Sequence, residues 1–115
     1  MEVLVINRTI AVLSNKTMNR AQVIARRTGS EMMGVVKAQM IETLKAKMAA
    51  GVAHFLFKKK DGSLRECWGT CVPNLMRATQ NGLGLSGDEV NTIKFWDIEK
   101  GSYRSCRFEN LIQVF

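Results

Sequence analysis

Lys58-Lys59-Lys60 followed by Arg65 crowds four cations into eight residues, a density suited to phosphate oxygens rather than to an apolar ligand. Further along, Trp96 and Tyr103 supply flat rings. Cations beside aromatic platforms meet the needs of single-stranded nucleic acid, whose phosphates take the charge while its bases stack on the rings. Arg26 and Arg27 extend the basic set upstream. Together Arg26, Arg27, Lys58, Lys59, Lys60, Arg65, Trp96 and Tyr103 form the candidate nucleic-acid-binding set, with RNA or single-stranded DNA as the expected partner. Two plainer readings stand beside this one: lysines at a hairpin tip also serve solubility and edge protection, and Trp96 also suits packing beneath the N-terminal helices.

Other chemistries are poorly served. His54 is the one histidine, and Cys67, Cys71 and Cys106 are the cysteines. These four have the right count for zinc, but a C-x₃-C spacing along a strand leaves two sulfurs about 13 Å apart, too far for a tetrahedral site. A Cys–His nucleophile lacks a third, orienting group. No catalytic residue, metal or cofactor is therefore expected, and the cysteines read as reduced thiols packed as small hydrophobes in a reducing compartment. Gly82-Leu83-Gly84-Leu85-Ser86-Gly87 matches G-x-G-x-x-G letter for letter. The dinucleotide fingerprint needs a strand before it and a helix after it, whereas here a short helix over Pro73–Gln80 precedes and a strand from Thr92 follows. A connecting loop is the better reading.

The basic and aromatic residues must be placed by two hairpins. Phe55–Lys60 and Leu64–Val72 flank Asp61-Gly62, a strong hairpin signal. With a two-residue turn, Lys58 faces Arg65, Phe57 faces Glu66 and Phe55 faces Trp68, so Phe55, Phe57, Leu64 and Trp68 share one face. The second hairpin spans Thr92–Phe108. A turn at Lys100-Gly101 sets Asp97 opposite Arg104, Phe95 opposite Cys106 and Ile93 opposite Phe108. Asp97 and Arg104 are then a structural ion pair, while Trp96 and Tyr103 point to the other side as diagonal neighbours. Glu109-Asn110-Leu111 breaks the alternation before a last strand over Ile112–Phe115. Phe55 or Leu56, Ile93, Phe95, Phe108, Leu111 and Val114 are expected to meet in one core.

The chain opens with two apolar, β-branched runs, Val3–Ile6 and Ile10–Leu13, which read as a short hairpin or an edge strand. Asn15 or Thr17 caps a helix to about Arg27, ended by Gly29, and Ser30 caps a second over Glu31–Ala50, ended by Gly51. Met33, Val36, Met40, Leu44 and Met48, with Ile41 beside them, form an apolar stripe at helical spacing. The Thr28-Gly29-Ser30 turn is compatible with a helix-turn-helix. Glu31-Met32-Met33-Gly34 offers little to read base edges, so a helical hairpin packing its Met-rich stripe on the barrel is favoured, with Arg20, Arg26 and Arg27 solvated or touching phosphates.

The phrases FKKKDGSLRECWGT and FWDIEKGSYRSCRFENLI resemble the paired signature of the WYL-like family of small proteins with an Sm-like or SH3-type β-barrel, found in bacteria and their phages. The resemblance covers His54–Phe115 and is carried by Asp61-Gly62, Arg65, Gly69-Thr70, Asp97, Arg104 and Leu111. It implies a fold more than an activity. No contiguous Trp-Tyr-Leu tripeptide occurs, so the ligand-contacting residues of the larger WYL regulators are not carried over.

At 115 residues with 46% hydrophobic content, the chain suits one core and not two. The expectation is a single α+β domain, with a strand segment and two helices over 1–53 and a small SH3-like or Sm-like β-barrel over 54–115. Charge is uneven: residues 1–60 hold eleven Lys/Arg against three acids, while residues 61–115 hold six against seven. Such asymmetry favours a polyanionic partner. With no bilayer-length apolar run and no basic leader, the chain reads as cytoplasmic in a bacterial host cell, without a membrane partner. The functional expectation is a small intracellular, non-enzymatic binding module, nucleic-acid-associated or regulatory. The alternative is a protein-interaction or small-ligand-sensing module, with a protein partner or a homodimer.

Overall fold

The computed structural model describes residues 2–6, 9–76 and 88–115. Arg77–Gln80 and the Gly82–Gly87 motif lie outside these residues. Strands β1 (Glu2–Ile6) and β2 (Thr9–Leu13) pair antiparallel as a separate two-stranded sheet, with Val3 opposite Val12 and Val5 opposite Ile10. Helix α1 (Asn15–Thr28) starts one residue before the expected caps: the Ser14 hydroxyl accepts the Thr17 N–H at 3.2 Å, and the Thr17 hydroxyl instead bonds Glu42 of the next helix at 3.0 Å. Gly29 ends α1, and Ser30 caps α2 (Glu31–Ala50) by accepting the Met33 N–H at 3.1 Å.

The expected Met-rich stripe holds only in the second half of α2. Ile41, Leu44 and Met48 are fully buried against the sheet, whereas Met33 and Val36 are exposed at 41% and 48%. The first half instead buries Gly34, Val35 and Ala38 against Met18 and Ala21 of α1. A Cβ at Gly34 would collide with the backbone oxygen of Ala21, so only glycine permits this approach. One long helix thus packs against two neighbours with different faces, and no single periodic stripe describes it.

Strands β3 (Val52–Lys58), β4 (Leu64–Thr70), β5 (Thr92–Asp97), β6 (Ser102–Arg107) and β7 (Leu111–Val114) form an antiparallel sheet in the order β6-β5-β4-β3-β7. Both end strands, β6 and β7, have one pairing neighbour each, so the sheet is open and not a closed barrel. The class is α+β. Phe55, Ile93, Phe95, Phe108 and Leu111 meet in one core with Ile24, Ile41, Leu44 and Met48, and Val114 packs at its margin. Of Phe55 and Leu56 it is Phe55 that enters, with Ala53 and Phe57 of the same strand, and its ring meets Phe95 edge-on at 5.0 Å. A single 3₁₀ turn, Phe108–Asn110, makes the expected break before β7. Another, Pro73–Leu75, stands where a longer helix is expected, and Met76 after it is already extended.

Both hairpin registers differ from expectation because both loops are longer than two residues. In the first, the Lys59 N–H bonds the Ser63 carbonyl at 2.8 Å and the Gly62 N–H bonds the Lys59 carbonyl at 3.0 Å. Lys60-Asp61-Gly62 is therefore a three-residue loop, with Gly62 at φ +89°, the left-handed position this loop type reserves for glycine. Asp61 braces it by accepting the Ser63 N–H and hydroxyl at 2.9 and 2.6 Å. The one-residue shift pairs Phe57 with Arg65 and Phe55 with Cys67. It turns Leu64 (60% exposed) and Trp68 (36%) away from Phe55 and Phe57, because strand side chains alternate with period two. In the second hairpin the loop is Ile98–Gly101, and Asp97 faces Ser102, Phe95 faces Arg104 and Ile93 faces Cys106. A two-residue shift preserves the faces and changes every partner.

Candidate nucleic-acid interface

A cleft of about 700 Å³ opens between the tip of the β3–β4 hairpin and the edge strand β6. Lys58, Lys59, Lys60 and Asp61 line one side; Arg104, Ser105, Cys106 and Arg107 line the other; Arg65, Phe57 and Lys100 complete it with Thr92 and Asn110. Seven cations thus surround a space that contains one carboxylate, that of Asp61. Like charges gathered in a concave, low-dielectric setting focus the field on an incoming anion. Lys58, Lys59 and Lys60 are all exposed and unencumbered by the core.

Three of these cations, Lys100, Arg104 and Arg107, went unrecognised in the sequence as anion contacts. Charge counting hides them, since the second half of the chain is nearly neutral. Three of its acids have cation partners: Asp97 is buried against Arg65, Asp88 pairs with Arg20, and Glu109 lies between Arg27 at 2.7 Å and Arg107 at 3.8 Å. Arg65 and Arg107 are thus met by carboxylates from outside the cleft, whose own lining holds seven cations to one acid.

Asp97 does form a buried, hydrogen-bonded ion pair, but with Arg65 and not with Arg104. Arg65 Nη2 donates to Asp97 Oδ2 at 2.5 Å, and Asp97 Oδ1 accepts the Lys100 backbone N–H at 3.0 Å. Asp97 has no exposed surface, whereas the Arg65 side chain keeps 21% of its own. Both shifts of register are responsible: the first brings Arg65 onto the inner face, and the second moves Arg104 to a place opposite Phe95, leaving it exposed at the cleft.

The aromatic part of the candidate set is not at the cleft. Trp96 and Tyr103 face each other directly across β5 and β6, with ring centroids 4.9 Å apart and planes at 81°. They project from the face opposite to Phe95 and Arg104, and Trp96 is 4% exposed. A ring so covered offers no platform to a base, so the stacking role expected of Trp96 is withdrawn. Tyr103 is half-buried, its hydroxyl 3.6 Å from the Met76 sulfur.

The helix cations are also apart from the cleft. Arg27 Nη1 bonds Glu109 Oε1 at 2.7 Å, and Arg26 borders a shallow apolar groove with Met18 and Val35. Arg20, expected in solvent, is 6% exposed and holds Asp88 with two bonds of 2.8 and 2.9 Å. That contact keeps the Asp88 carboxyl below its ordinary range against the opposing effect of burial. Lys37 donates to the Glu109 carbonyl at 2.7 Å, and burial together with the nearby Lys58 lowers its pKa. The ammonium of Lys58 is thus felt by Lys37 where the hairpin approaches α2.

A second aromatic group, unforeseen in the sequence, lies on the outer face of the sheet. The His54 ring stacks on Trp68 at 4.3 Å and on Phe115 at 4.4 Å, and its Nε2 is 2.7 Å from Glu66 Oε1. Val52 (47% exposed), on β3 with His54, and Ile112 (39%), on the neighbouring β7, are exposed apolar residues. Only the true register reveals this group, because it sets His54 opposite Trp68.

The cysteines are packed thiols. Burial pushes Cys67 and Cys106 up to about 12 and raises Cys71. Among the described residues no three His, Cys, Asp or Glu side chains gather as a metal site, and no helix is long and apolar enough to cross a membrane.

The family model WYL_2, Sm-like SH3 beta-barrel fold, matches residues 41–112. An uncharacterized 11.5 kDa protein from the Gp31-cd intergenic region of Enterobacteria phage T4 is 31% identical over 81 residues, covering 68% of this chain and 79% of that protein. No solved structure matches.

Proposed function

The chain belongs to the WYL_2 family of Sm-like SH3 beta-barrel fold, and from that footing we propose that it is a small, non-enzymatic binding module that holds nucleic acid by its phosphates. In this reading the sheet is an Sm-like barrel left open, and the protein acts in the cytoplasm of a bacterial host cell. The cleft carries the proposal: Lys58, Lys59, Lys60, Arg65, Lys100, Arg104 and Arg107 face a common space with Asp61 as the one acid. Phosphate contacts of this kind position a strand without reading its sequence. Since Trp96 is buried, base stacking contributes little and base preference is slight.

Fluorescence anisotropy with a labelled RNA or single-stranded DNA tests this. Affinity falls about tenfold or more between roughly 50 and 200 mM salt, as expected when several phosphates are neutralised. Replacing Lys58, Lys59 and Lys60 by alanine flattens the slope, and so does replacing Arg104 and Arg107. Absence of binding at low salt would refute the proposal.

The outer face supports a second reading. The His54, Trp68 and Phe115 stack, with Val52 and Ile112 exposed, presents an apolar surface of the sort that contacts a protein partner or a second copy. A Trp68→Ala variant that keeps its salt-dependent nucleic-acid binding but loses self-association in sedimentation would support this reading.

A further inference from the structure

The seven cations of the cleft are not equivalent. Six stand on exposed loop or edge positions, or reach the space from its rim; Arg65 rises from the middle of the sheet on the face of Phe55 and Phe57. It is held from behind. Asp97, with no exposed surface, takes one of its N–H groups at 2.5 Å, and Asp97 is itself held by the Lys100 N–H at 3.0 Å. A guanidinium has five donors in a rigid plane. With one donor bound to a fixed carboxylate, the plane loses its freedom to swing, while the 21% of the side chain left exposed borders the cleft. Lysine ammonium groups on flexible stems supply charge without direction.

From this arrangement we propose that Arg65 is the orienting phosphate contact of the cleft and that Asp97 is the positioning residue that aims it. The proposal rests on the reading of the cleft as a phosphate-binding surface. The lysines then set how strongly affinity depends on salt, and the Arg65–Asp97 pair sets how well one phosphate is seated. The ligand group is a phosphate oxyanion able to take two parallel N–H donors.

The test separates charge from geometry. Anisotropy titrations of a labelled single-stranded RNA are run over a salt series for the parent, Arg65→Lys, Asp97→Asn and Lys59→Ala. Arg65→Lys keeps the charge and loses the planar fork, so affinity at fixed salt falls about tenfold while the salt slope stays at the parental value. Lys59→Ala instead lowers the slope. Asp97→Asn, measured well below its own melting temperature, behaves as Arg65→Lys does. Parental affinity in Arg65→Lys at every salt overturns the inference. So does an Asp97→Asn protein that melts earlier but binds as the parent, since Asp97 then serves stability alone. Should Asp97→Asn fail to fold, Arg65→Lys decides the matter by itself. No binding by the parent removes the reading of the cleft, a result distinct from parental binding that is indifferent to Arg65.

Discussion

Arg65 on β4 donates a 2.5 Å hydrogen bond to Asp97 on β5, a carboxylate with no exposed surface. The two strands pair at Gly69–Asp97 and Thr70–Trp96, and the Ile98 N–H continues the seam to the Trp68 carbonyl at 2.9 Å. The ion pair therefore adds a side-chain link near the short seam between the two hairpins. Asp97 also holds the second loop through the Lys100 N–H, so one carboxylate joins a seam and a turn.

Asp97→Ala accordingly lowers stability by about 2 to 3 kcal/mol, because two hydrogen-bonded donors lose their acceptor and the largely covered Arg65 is only partly rehydrated. Arg104→Ala, at an exposed position, stays within about 0.5 kcal/mol of the parent. Urea unfolding of the two variants checks the contrast. Equal losses would restore the Asp97–Arg104 pairing expected from the sequence.

Gly34→Ala tests the helix contact. Intrinsic propensity favours alanine inside a helix by about 1 kcal/mol. At Gly34 the added carbon meets the Ala21 carbonyl and the Ala25 side chain, and overpacking of this kind costs about 1 to 3 kcal/mol or more. Thermal melting is expected to show a net loss, opposite in sign to propensity.

The Arg20–Asp88 pair predicts an acid limb. Hydrogen bonding from Arg20 depresses the folded-state pKa of Asp88 below its ordinary 3.8. The unfolded chain therefore binds the proton more readily, so the stabilisation is complete above that ordinary value and is lost as pH falls through the lower folded one. Asp88→Asn removes this part of the dependence and costs about 1 to 3 kcal/mol at neutral pH. Urea midpoints measured from pH 7 down to pH 3 should converge for the parent and the variant as the pH drops.

Thiol labelling offers a fourth check. With Cys67 and Cys106 pushed up to about 12, only about one thiol in ten thousand is ionised at pH 8, and the thiolate is the reactive form. Cys71, half-buried beside the Lys94 carbonyl at 3.6 Å, is the more accessible. Alkylation followed by mass spectrometry is expected to modify Cys71 first, and the other two only at the rate of unfolding. Early labelling of Cys106 would show that the cleft opens to its floor.

Some of this protein is written in local sequence because local chemistry decides it. Ser30, Gly29 and Gly51 bound the helices through caps that involve only near neighbours. Asp61-Gly62 and Gly101 mark the turns, and alternation in Ile93, Phe95 and Cys106 identifies a core face whichever loop length is adopted. The lysines at the first hairpin tip were equally plain, since exposed charge needs no partner to be recognised.

Tertiary structure alone decided register, and register decided the site. One residue more in the first loop moved Arg65 inward and Trp68 outward; two residues more in the second gave Asp97 a partner from another hairpin and set Arg104 against Phe95. Turn residues such as Asp-Gly are shared by loops of different lengths, and the choice between them follows from which face the packed helices cover. For the same reason Gly34, and not Met33, marks the contact face of α2: the periodic pattern records apolar side chains, whereas the approach of two backbones depends on a side chain that is absent.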